Sequence, residues 1–468
     1  MANIATRHSL PVNSNVMSTA PISLSLTSIA HGGEAIGQHA GKIIFVPYAI
    51  PGETVTVELT EEKPRWARAR LLTVVTPSDD RVTPPCPYFG PGQCGGCQWQ
   101  HITYERQLAL KAEVVADQLR RLGGIAEPPV LEPIALADDA GLLDFGYRNH
   151  VQLTADAAGG LGYVRDGVGQ GQPRSTPNDD ILAVERCLLL HPLLDEMHAA
   201  LQATPVENEL LDEPEDPAEP PVTVRRVSLR AGINTDQRLL AFETIGERAP
   251  NFVIEDLPVR AVIRRRDGDF QPLIGDPWLE EQVAERVFRV SAASFFQVNT
   301  VGAEVMVALA TEMLDLHGHE ILLDGYCGVG LFGLSLAGQV GQVIGIEESP
   351  SACEDFAWNA RDLDNVTLHE GPVAEVLATL DGPEDATTGP RLDIALIDPP
   401  RSGAGPEVVA QLARLRTAKL LYISCDPATL ARDAKLLLQA GYRLVQVQPV
   451  DLFPQTYHIE SMALFVRA

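Results

Sequence analysis

The sequence predicts an α/β chain with a small N-terminal β-barrel, a central α+β domain and a C-terminal doubly wound, Rossmann-like sheet. Short β-type runs separated by polar and Pro-Gly turns fill residues 21–80. Helical and strand-like runs are mixed in residues 81–285. In residues 286–468, uniformly apolar runs alternate with helical stretches, as expected of a parallel sheet that is covered on both faces.

The first 20 residues are predicted to form a disordered tail. The N-terminal stretch is polar and is interrupted by Pro11 and Pro21, so it makes a poor signal peptide. A length of 468 residues allows two to four domains, and no apolar run is long enough to span a membrane. We therefore expect a cytoplasmic protein, and a monomer.

The net charge of −27 argues against a nucleic-acid partner, because phosphate binding needs a basic surface. The acidic residues are unevenly spread, however, and seven of them lie in residues 207–221, a predicted solvated insertion. Basic clusters remain elsewhere: Lys63, Arg65, Arg68 and Arg70; Arg225, Arg226 and Arg230; and Arg264, Arg265 and Arg266. The net charge therefore weakens the case for an RNA partner but does not exclude one.

The predicted barrel rests on two segments. "GKIIFVPYAIPGETVTVEL" contains two β-type runs joined by a turn at Pro51 and Gly52, and "ARARLLTVV" supplies a further strand. Small barrels commonly bind oligonucleotides on one face, but a purely structural module fits the pattern equally well.

Cys86, Cys94 and Cys97 lie within twelve residues, in a loop rich in glycine and aromatic residues. Disulfides are rare in the cytoplasm, so this spacing indicates metal or cluster ligation. Cys187 is a plausible fourth ligand. Four thiolates suit either tetrahedral zinc or an iron–sulfur cluster, and the spacing alone does not distinguish them.

A strand, a glycine turn and a helix follow one another in "LLDGYCGVGLFGLSLA". Gly328 and Gly330 allow a ligand to approach the backbone, and Glu347 ends the next strand, where an acidic group can bind ribose hydroxyls. Asp324 lies at the end of the first strand. The full dinucleotide fingerprint, with its third glycine, is not clean, so the pattern favours an adenosyl ligand over NAD.

Reactive side chains follow two later strands. "IDPPRSG" places Asp398 and Arg401 at the end of the predicted third strand, and "YISCDP" places Cys425 at the end of the predicted fourth. A thiolate at the ligand-binding edge is a candidate nucleophile, and the carboxylate of Glu460 is a candidate general base. Cys327 is the rival nucleophile, but it lies inside the glycine turn.

Together these motifs resemble the RumA/TrmA class of RNA 5-methyluridine methyltransferases, over nearly the whole chain. "FVPYAIPGETV" resembles a TRAM domain. The stretches that resemble the catalytic domain, in order, are "SFFQVNT", "DGYCGVG", "IDPPRSG", "YISCDPATLARD" and "DLFPQTYHIESM". The resemblance is to the ribosomal-RNA branch of the class, whose members carry a TRAM domain and a [4Fe–4S] cluster.

The resemblance implies a role for each matching residue. Cys425 would add to C6 of the target uracil, and Glu460 would remove the proton from C5. The positions that match cofactor contacts, for S-adenosylmethionine, are Gln297, Tyr326, Glu347 and Asp398. The positions that match cluster ligands are Cys86, Cys94, Cys97 and Cys187. Arg401 would contact the substrate.

The chain departs from the family pattern at three places. Seven residues separate Cys86 from Cys94 where the family usually has five, Leu331 replaces a polar residue, and Pro372 replaces Asp or Asn. The family identity implies methylation of 23S ribosomal RNA, with transfer RNA as the alternative target. Three other classes of protein remain open: a non-catalytic RNA-binding protein, a methyltransferase for small molecules or proteins, and a redox enzyme.

Overall fold

The computed structural model describes residues 20–156, 160–167, 180–203, 223–245, 249–250, 257–380 and 392–467. The predicted tail, except residue 20, and the acidic segment 207–221 lie outside these residues. The chain divides into two compact units, Met1–Arg81 and Val82–Ala468. In the part of the chain that is described, no helix is both long and apolar enough to cross a membrane.

The first unit contains a closed barrel with the strand order β1-β2-β3-β5-β4. Its strands are β1 (Ile22–Ile29), β2 (Ala35–His39), β3 (Lys42–Val46), β4 (Thr54–Glu62) and β5 (Trp66–Thr76). Alternate residues point inward, so that Leu24, Val55 and Ala67 are buried in the barrel core. The turn before β4 requires a left-handed residue, and Gly52 supplies it at φ 98°.

The second unit begins with a helix and a largely antiparallel sheet. The helices are α1 (Tyr104–Arg121) and α2 (Pro192–Ala203). The sheet has the order β10-β9-β8-β11-β12-β13-β14. Its strands are β8 (His150–Ala155), β9 (Leu161–Val164), β10 (Ile181–Leu182), β11 (Thr223–Gly232), β12 (Gln237–Ile245), β13 (Arg260–Arg264) and β14 (Phe270–Ile274); β6 (Ala137–Asp138) and β7 (Gly141–Leu142) form a separate small pair.

A hairpin and a seven-stranded, mainly parallel sheet complete the second unit. The hairpin is β15 (Trp278–Val283) with β16 (Arg286–Ser291), and the sheet order is β19-β18-β17-β20-β21-β23-β22. The sheet strands are β17 (Ile321–Gly325), β18 (Gln342–Glu347), β19 (Val366–Glu370), β20 (Ile394–Ile397), β21 (Lys419–Ser424), β22 (Tyr442–Val450) and β23 (Glu460–Arg467). The helices are α3 (Thr300–Leu314), α4 (Leu331–Leu336), α5 (Pro350–Asn359), α6 (Val373–Thr379), α7 (Gly405–Leu415) and α8 (Pro427–Gln439).

One strand of this sheet was not predicted. β19 lies at the sheet edge and is only partly buried, so its sequence "VTLHE" lacks the apolar run by which the other parallel strands were recognised. Asp398 and Cys425 therefore follow the fourth and fifth strands of the sheet, not the third and fourth.

Among the described residues of the second unit, the larger of two apolar core clusters spans both sheets, and the smaller one lies between the central sheet and α2. The larger cluster joins the parts of this unit. It includes Val262 of β13, Phe288 of the hairpin and Leu421 of the parallel sheet. Helix α1 also packs against α8, the helix that follows Cys425. The central part of the chain is thus joined to the parallel sheet by continuous packing.

Candidate active site

The strand order reverses between β17 and β20. The chain proceeds outward from β17 through β18 to β19, and then resumes on the other side at β20. In open α/β sheets, ligands bind beyond the carboxyl ends of the strands at such a switch point. Asp324 lies near the carboxyl end of β17, Glu347 ends β18, and Asp398 follows β20.

Cys425 occupies a one-residue turn at this edge. It follows β21 directly, and Asp426 caps α8 by accepting hydrogen bonds from Ala428 N and Thr429 N, both at 2.9 Å. Strand and cap together hold the half-buried thiol in place. Burial, together with the charges of Glu460 and Asp398, raises the pKa of Cys425 to about 12, and the Arg401 guanidinium opposes this rise.

Glu460 reaches the same place from an antiparallel strand. Ser424 of β21 pairs with Ser461 of β23, so the next residue pair in this register is Cys425 and Glu460. Glu460 is 3% exposed, and its Oε1 has no hydrogen-bond partner. Burial and the charge of Asp398 raise the pKa of Glu460 well above its usual range. A buried carboxyl with a raised pKa and an unused acceptor is suited to receiving a proton from a bound molecule.

Gln297 and Asp398 meet beside this pair. Gln297 Nε2 lies 3.4 Å from Asp398 Oδ2, and Asn149 Nδ2 donates to the Gln297 carbonyl at 2.9 Å. Burial raises the pKa of Asp398 to about 7. Arg401, three residues further on, is exposed. The carboxyl groups of Asp398 and Glu460 make the switch point acidic, and such a site favours a cationic ligand such as a sulfonium compound.

The glycine turn lies against the end of β18. Gly328 N donates to Glu347 Oε2 at 2.8 Å, while Glu348 N and Ser349 N donate to Glu347 Oε1 at 2.9 and 2.8 Å. A carboxylate offers about four acceptor positions, so Glu347 retains capacity for a ligand hydroxyl. Tyr326, the first residue of the turn, adopts φ 63°, which is unusual for a residue with a side chain.

The rival nucleophile is buried under this turn. Cys327 is 6% exposed, and its amide donates to Ile346 O at 3.0 Å. Burial raises its pKa well above the ordinary value, and the nearby Asp324 and Glu347 charges add to the rise. Of the two thiols, Cys425 is the more accessible at the carboxyl edge of the sheet.

The four candidate cluster ligands line one cavity of about 430 Å³. Burial, together with the charges of neighbouring thiolates, raises the pKa of Cys94 to about 11 and of Cys97 to about 12. Four desolvated thiols of this kind match the donor chemistry and electrostatics of a thiolate-ligated cation. Among the described residues, however, no group of three or more His, Cys, Asp or Glu side chains is arranged to hold a metal ion.

Two buried aspartates position this site, and the sequence analysis did not single them out. Asp433 accepts hydrogen bonds from Ala404 N at 2.8 Å and from Tyr422 Oη at 2.8 Å, which fixes the loop that carries Arg401. Asp355 accepts from the Ser294 hydroxyl at 2.6 Å, close to Gln297. Asp433 lies between buried leucines of α8. A charged residue on the apolar face of an amphipathic helix is the sequence signal by which this aspartate could have been found.

Comparison with known proteins agrees with this arrangement. Residues 278–468 match the tRNA (Uracil-5-)-methyltransferase family model, and residues 15–72 match the TRAM domain model. An RNA methyltransferase of Streptomyces avermitilis is 34% identical over 449 residues, covering 93% of this chain and 96% of the relative. A second, from Thermosynechococcus vestitus, is 32% identical over 474 residues, covering 95% and 98%.

A solved structure has the same overall architecture. The Pyrococcus abyssi tRNA (uracil-54, C5)-methyltransferase, determined in complex with S-adenosyl-L-homocysteine, superimposes with a TM-score of 0.69 at 25% identity. The match covers 95% of this chain and 100% of that protein. The chain therefore belongs to the family of S-adenosylmethionine-dependent RNA (uracil-5-)-methyltransferases that carry a TRAM domain, and it is an enzyme of that class.

Proposed function

We propose that this enzyme forms 5-methyluridine in 23S ribosomal RNA, with Cys425 as nucleophile and Glu460 as general base. The observation that carries the proposal is the pairing of β21 with β23, which puts a half-buried thiol beside a buried carboxyl with an unused acceptor. The residues proposed to bind the cofactor all lie at the switch point. They are Gln297, Tyr326, Glu347 and Asp398.

The chemistry needs a covalent step because C5 of uracil is a poor nucleophile. The Cys425 thiol must lose its proton, and its sulfur then forms a bond to C6, which transfers electron density to C5. Bound S-adenosylmethionine supplies the electrophilic methyl group that C5 takes up. Glu460 then removes the remaining proton from C5, the bond between sulfur and C6 breaks, and the C5–C6 double bond is restored. Burial and the charge of Asp398 raise the pKa of Glu460, which makes its carboxylate a stronger proton acceptor than an exposed one.

Two features support ribosomal RNA as the target: a TRAM domain together with the four cysteines resembles the ribosomal-RNA branch of the family. Transfer RNA is the second candidate, because the similarity to a transfer-RNA enzyme extends over all of that protein. We also propose a monomer organised as a barrel at 21–80, a central domain at 81–285 and a methyltransferase domain at 286–468.

The test is methyl transfer from labelled S-adenosylmethionine to unmodified ribosomal RNA and, separately, to transfer RNA. We expect label in 5-methyluridine of ribosomal RNA with the wild type and none with Cys425→Ala. Thr379→Ala, at an exposed threonine at the end of α6 whose hydroxyl donates to Val376 O, serves as the control. Label in transfer RNA alone would replace the proposed target. Undiminished label with Cys425→Ala would refute the covalent mechanism.

We further propose that Cys86, Cys94, Cys97 and Cys187 hold a [4Fe–4S] cluster. The support is their convergence on one cavity and their donor type. Such a cluster would tie the loop of the first three cysteines to Cys187, and no step of the methyl transfer depends on it. Protein purified without oxygen should contain about four iron and four sulfide ions per chain, and Cys187→Ser should lower both contents. Zinc without sulfide would refute the cluster and leave the thiolate site.

A further inference from the structure

The turn that precedes Glu460 is held by the central part of the chain. β22 ends at Val450 and β23 begins at Glu460, and these two residues pair across the strands. The intervening residues 451–459 thus form a closed turn, whose shape determines where Glu460 lies. The buried residues within it are Asp451, Leu452, Pro454, Gln455, Thr456 and Ile459.

Gln455 gives this turn its unusual shape. Its backbone adopts φ 67°, in the left-handed region that residues with a side chain rarely enter. Such a conformation persists only where the surroundings over-determine it. The contacts that hold Gln455 therefore also hold the turn, and with it the start of β23.

Gln107 of α1 makes the most direct of these contacts. Its Nε2 donates to Gln455 Oε1 at 3.0 Å, and its Oε1 accepts from Gln455 N at 2.9 Å. Gln107 is fully buried, and its amide also donates to Ile102 O at 2.9 Å, so its side chain has little freedom. The Gln455 carbonyl in turn accepts from Gln98 N at 3.1 Å and Trp99 N at 3.0 Å.

We propose that Gln107 is a positioning residue for the proton-transfer step, acting through Gln455 on Glu460. This inference rests on the proposed function of Glu460 as the base. Gln107 lies on α1, outside the catalytic sheet, and it contacts the turn rather than Glu460 itself. Its loss should displace the base while leaving Cys425 on its own strand and cap. The nucleophile would still add to uracil, but elimination would slow.

This reasoning separates positioning from a general loss of structure. If elimination alone slows, the methylated RNA remains bonded to Cys425, and the covalent enzyme–RNA complex accumulates on a denaturing gel. A variant that is merely less folded would lose turnover and covalent complex together. The ratio of covalent complex to turnover is therefore the decisive measurement.

The main variant is Gln107→Met, which preserves the length of the side chain and removes its hydrogen bonds. We expect kcat to fall about ten- to a hundredfold, with KM for RNA nearly unchanged and covalent complex accumulating as in Glu460→Gln. Gln118→Met is the matched control, because Gln118 lies on the same helix and its side-chain amide contacts only the neighbouring Asp117 among the hydrogen bonds of the described residues. Turnover lost without accumulation of the complex would overturn the proposal, as would an unchanged kcat.

A second variant guards against misfolding of the first. Glycine adopts φ 67° without strain, so Gln455→Gly in the Gln107→Met background should restore part of kcat and reduce the covalent complex. No recovery in a folded double variant would show that Gln107 does not act through the Gln455 backbone. If the wild type methylates no RNA, the proposed function fails. If the wild type and Glu460→Gln behave as expected and Gln107→Met resembles Gln118→Met, only the positioning role fails.

Discussion

A buried ion pair fastens the same turn, and its removal tests how strongly α1 holds it. Lys111 Nζ donates to Asp451 Oδ1 at 2.6 Å and to Phe453 O at 3.0 Å. The two charged side chains are only 2% and 0% exposed. Lys111→Met would leave the Asp451 carboxylate buried without its cation, with Phe453 N still donating to its Oδ1.

Removing one partner of a buried ion pair costs about 3–5 kcal/mol, because the remaining charge stays desolvated. The second unit, Val82–Ala468, has roughly 390 residues, and an unfolding entropy of about 2.1 cal/mol/K per residue gives about 0.8 kcal/mol/K. The free energy lost then corresponds to a fall of about 4–6 °C in the Tm of this unit.

Differential scanning calorimetry of the two units measures this shift. The double variant Lys111→Met/Asp451→Leu replaces both charges by apolar groups and should recover most of the lost stability. Lys435→Met, at an exposed lysine of α8, is the control and should leave the Tm nearly unchanged. A Tm for Lys111→Met equal to that of the control, or a double variant no more stable than Lys111→Met, would refute the reasoning.

Three further outcomes are expected. Because the pKa of Glu460 is raised, kcat/KM should already fall at a pH well above the usual range of a carboxyl group, as the base becomes protonated. Arg401→Gln should move this limb to higher pH, because the guanidinium lowers that pKa; pH–rate profiles measure both. Asp433→Asn should loosen the Arg401 loop at a cost of about 1.5–3 kcal/mol, seen as lower kcat in steady-state kinetics with unchanged cofactor binding. Gly330→Ala should weaken S-adenosylmethionine binding by about tenfold in titration calorimetry, since its φ of 96° costs a side chain about 1–2 kcal/mol, whereas Gly338→Ala should not.

The elements that were predicted correctly are determined by residues that lie close together in the sequence. The glycine turn after β17 shows its two glycines within three residues, and both adopt positive φ. The apolar run before Cys425 forms a strand, β21, as predicted, and Asp426 caps the helix α8 that follows. The barrel strands follow from alternation and from the turn at Gly52. Because each signal spans only a few residues, it could be recognised without knowledge of the fold.

β19 and Asp433 show where local signals become insufficient. An edge strand needs less apolar sequence than a central one, so β19 resembled a loop. Asp433 appeared to be one charge among several on α8, and only the fold shows that it faces Ala404 and Tyr422. The fold is needed to recognise β19 as a strand, whereas the apolar residues around Asp433 already indicate its burial and the fold adds its partners.

The contacts that position the proposed base are the hardest to predict from the sequence. Gln107 and Gln455 are separated by 348 positions, and a glutamine in a helix ordinarily indicates a solvated face. Glu460 could be named from the sequence because the motif around it resembles a family, but its placement depends on a helix that carries no part of that motif. Two sets of residues therefore determine a site of this kind. Short motifs supply the reacting groups, and distant buried amides and ion pairs hold those groups at the right distances from one another. The buried contacts can be recognised only in the folded chain. For this reason the Gln107 and Lys111 variants test the contribution of the structure, which further changes at Cys425 would not do.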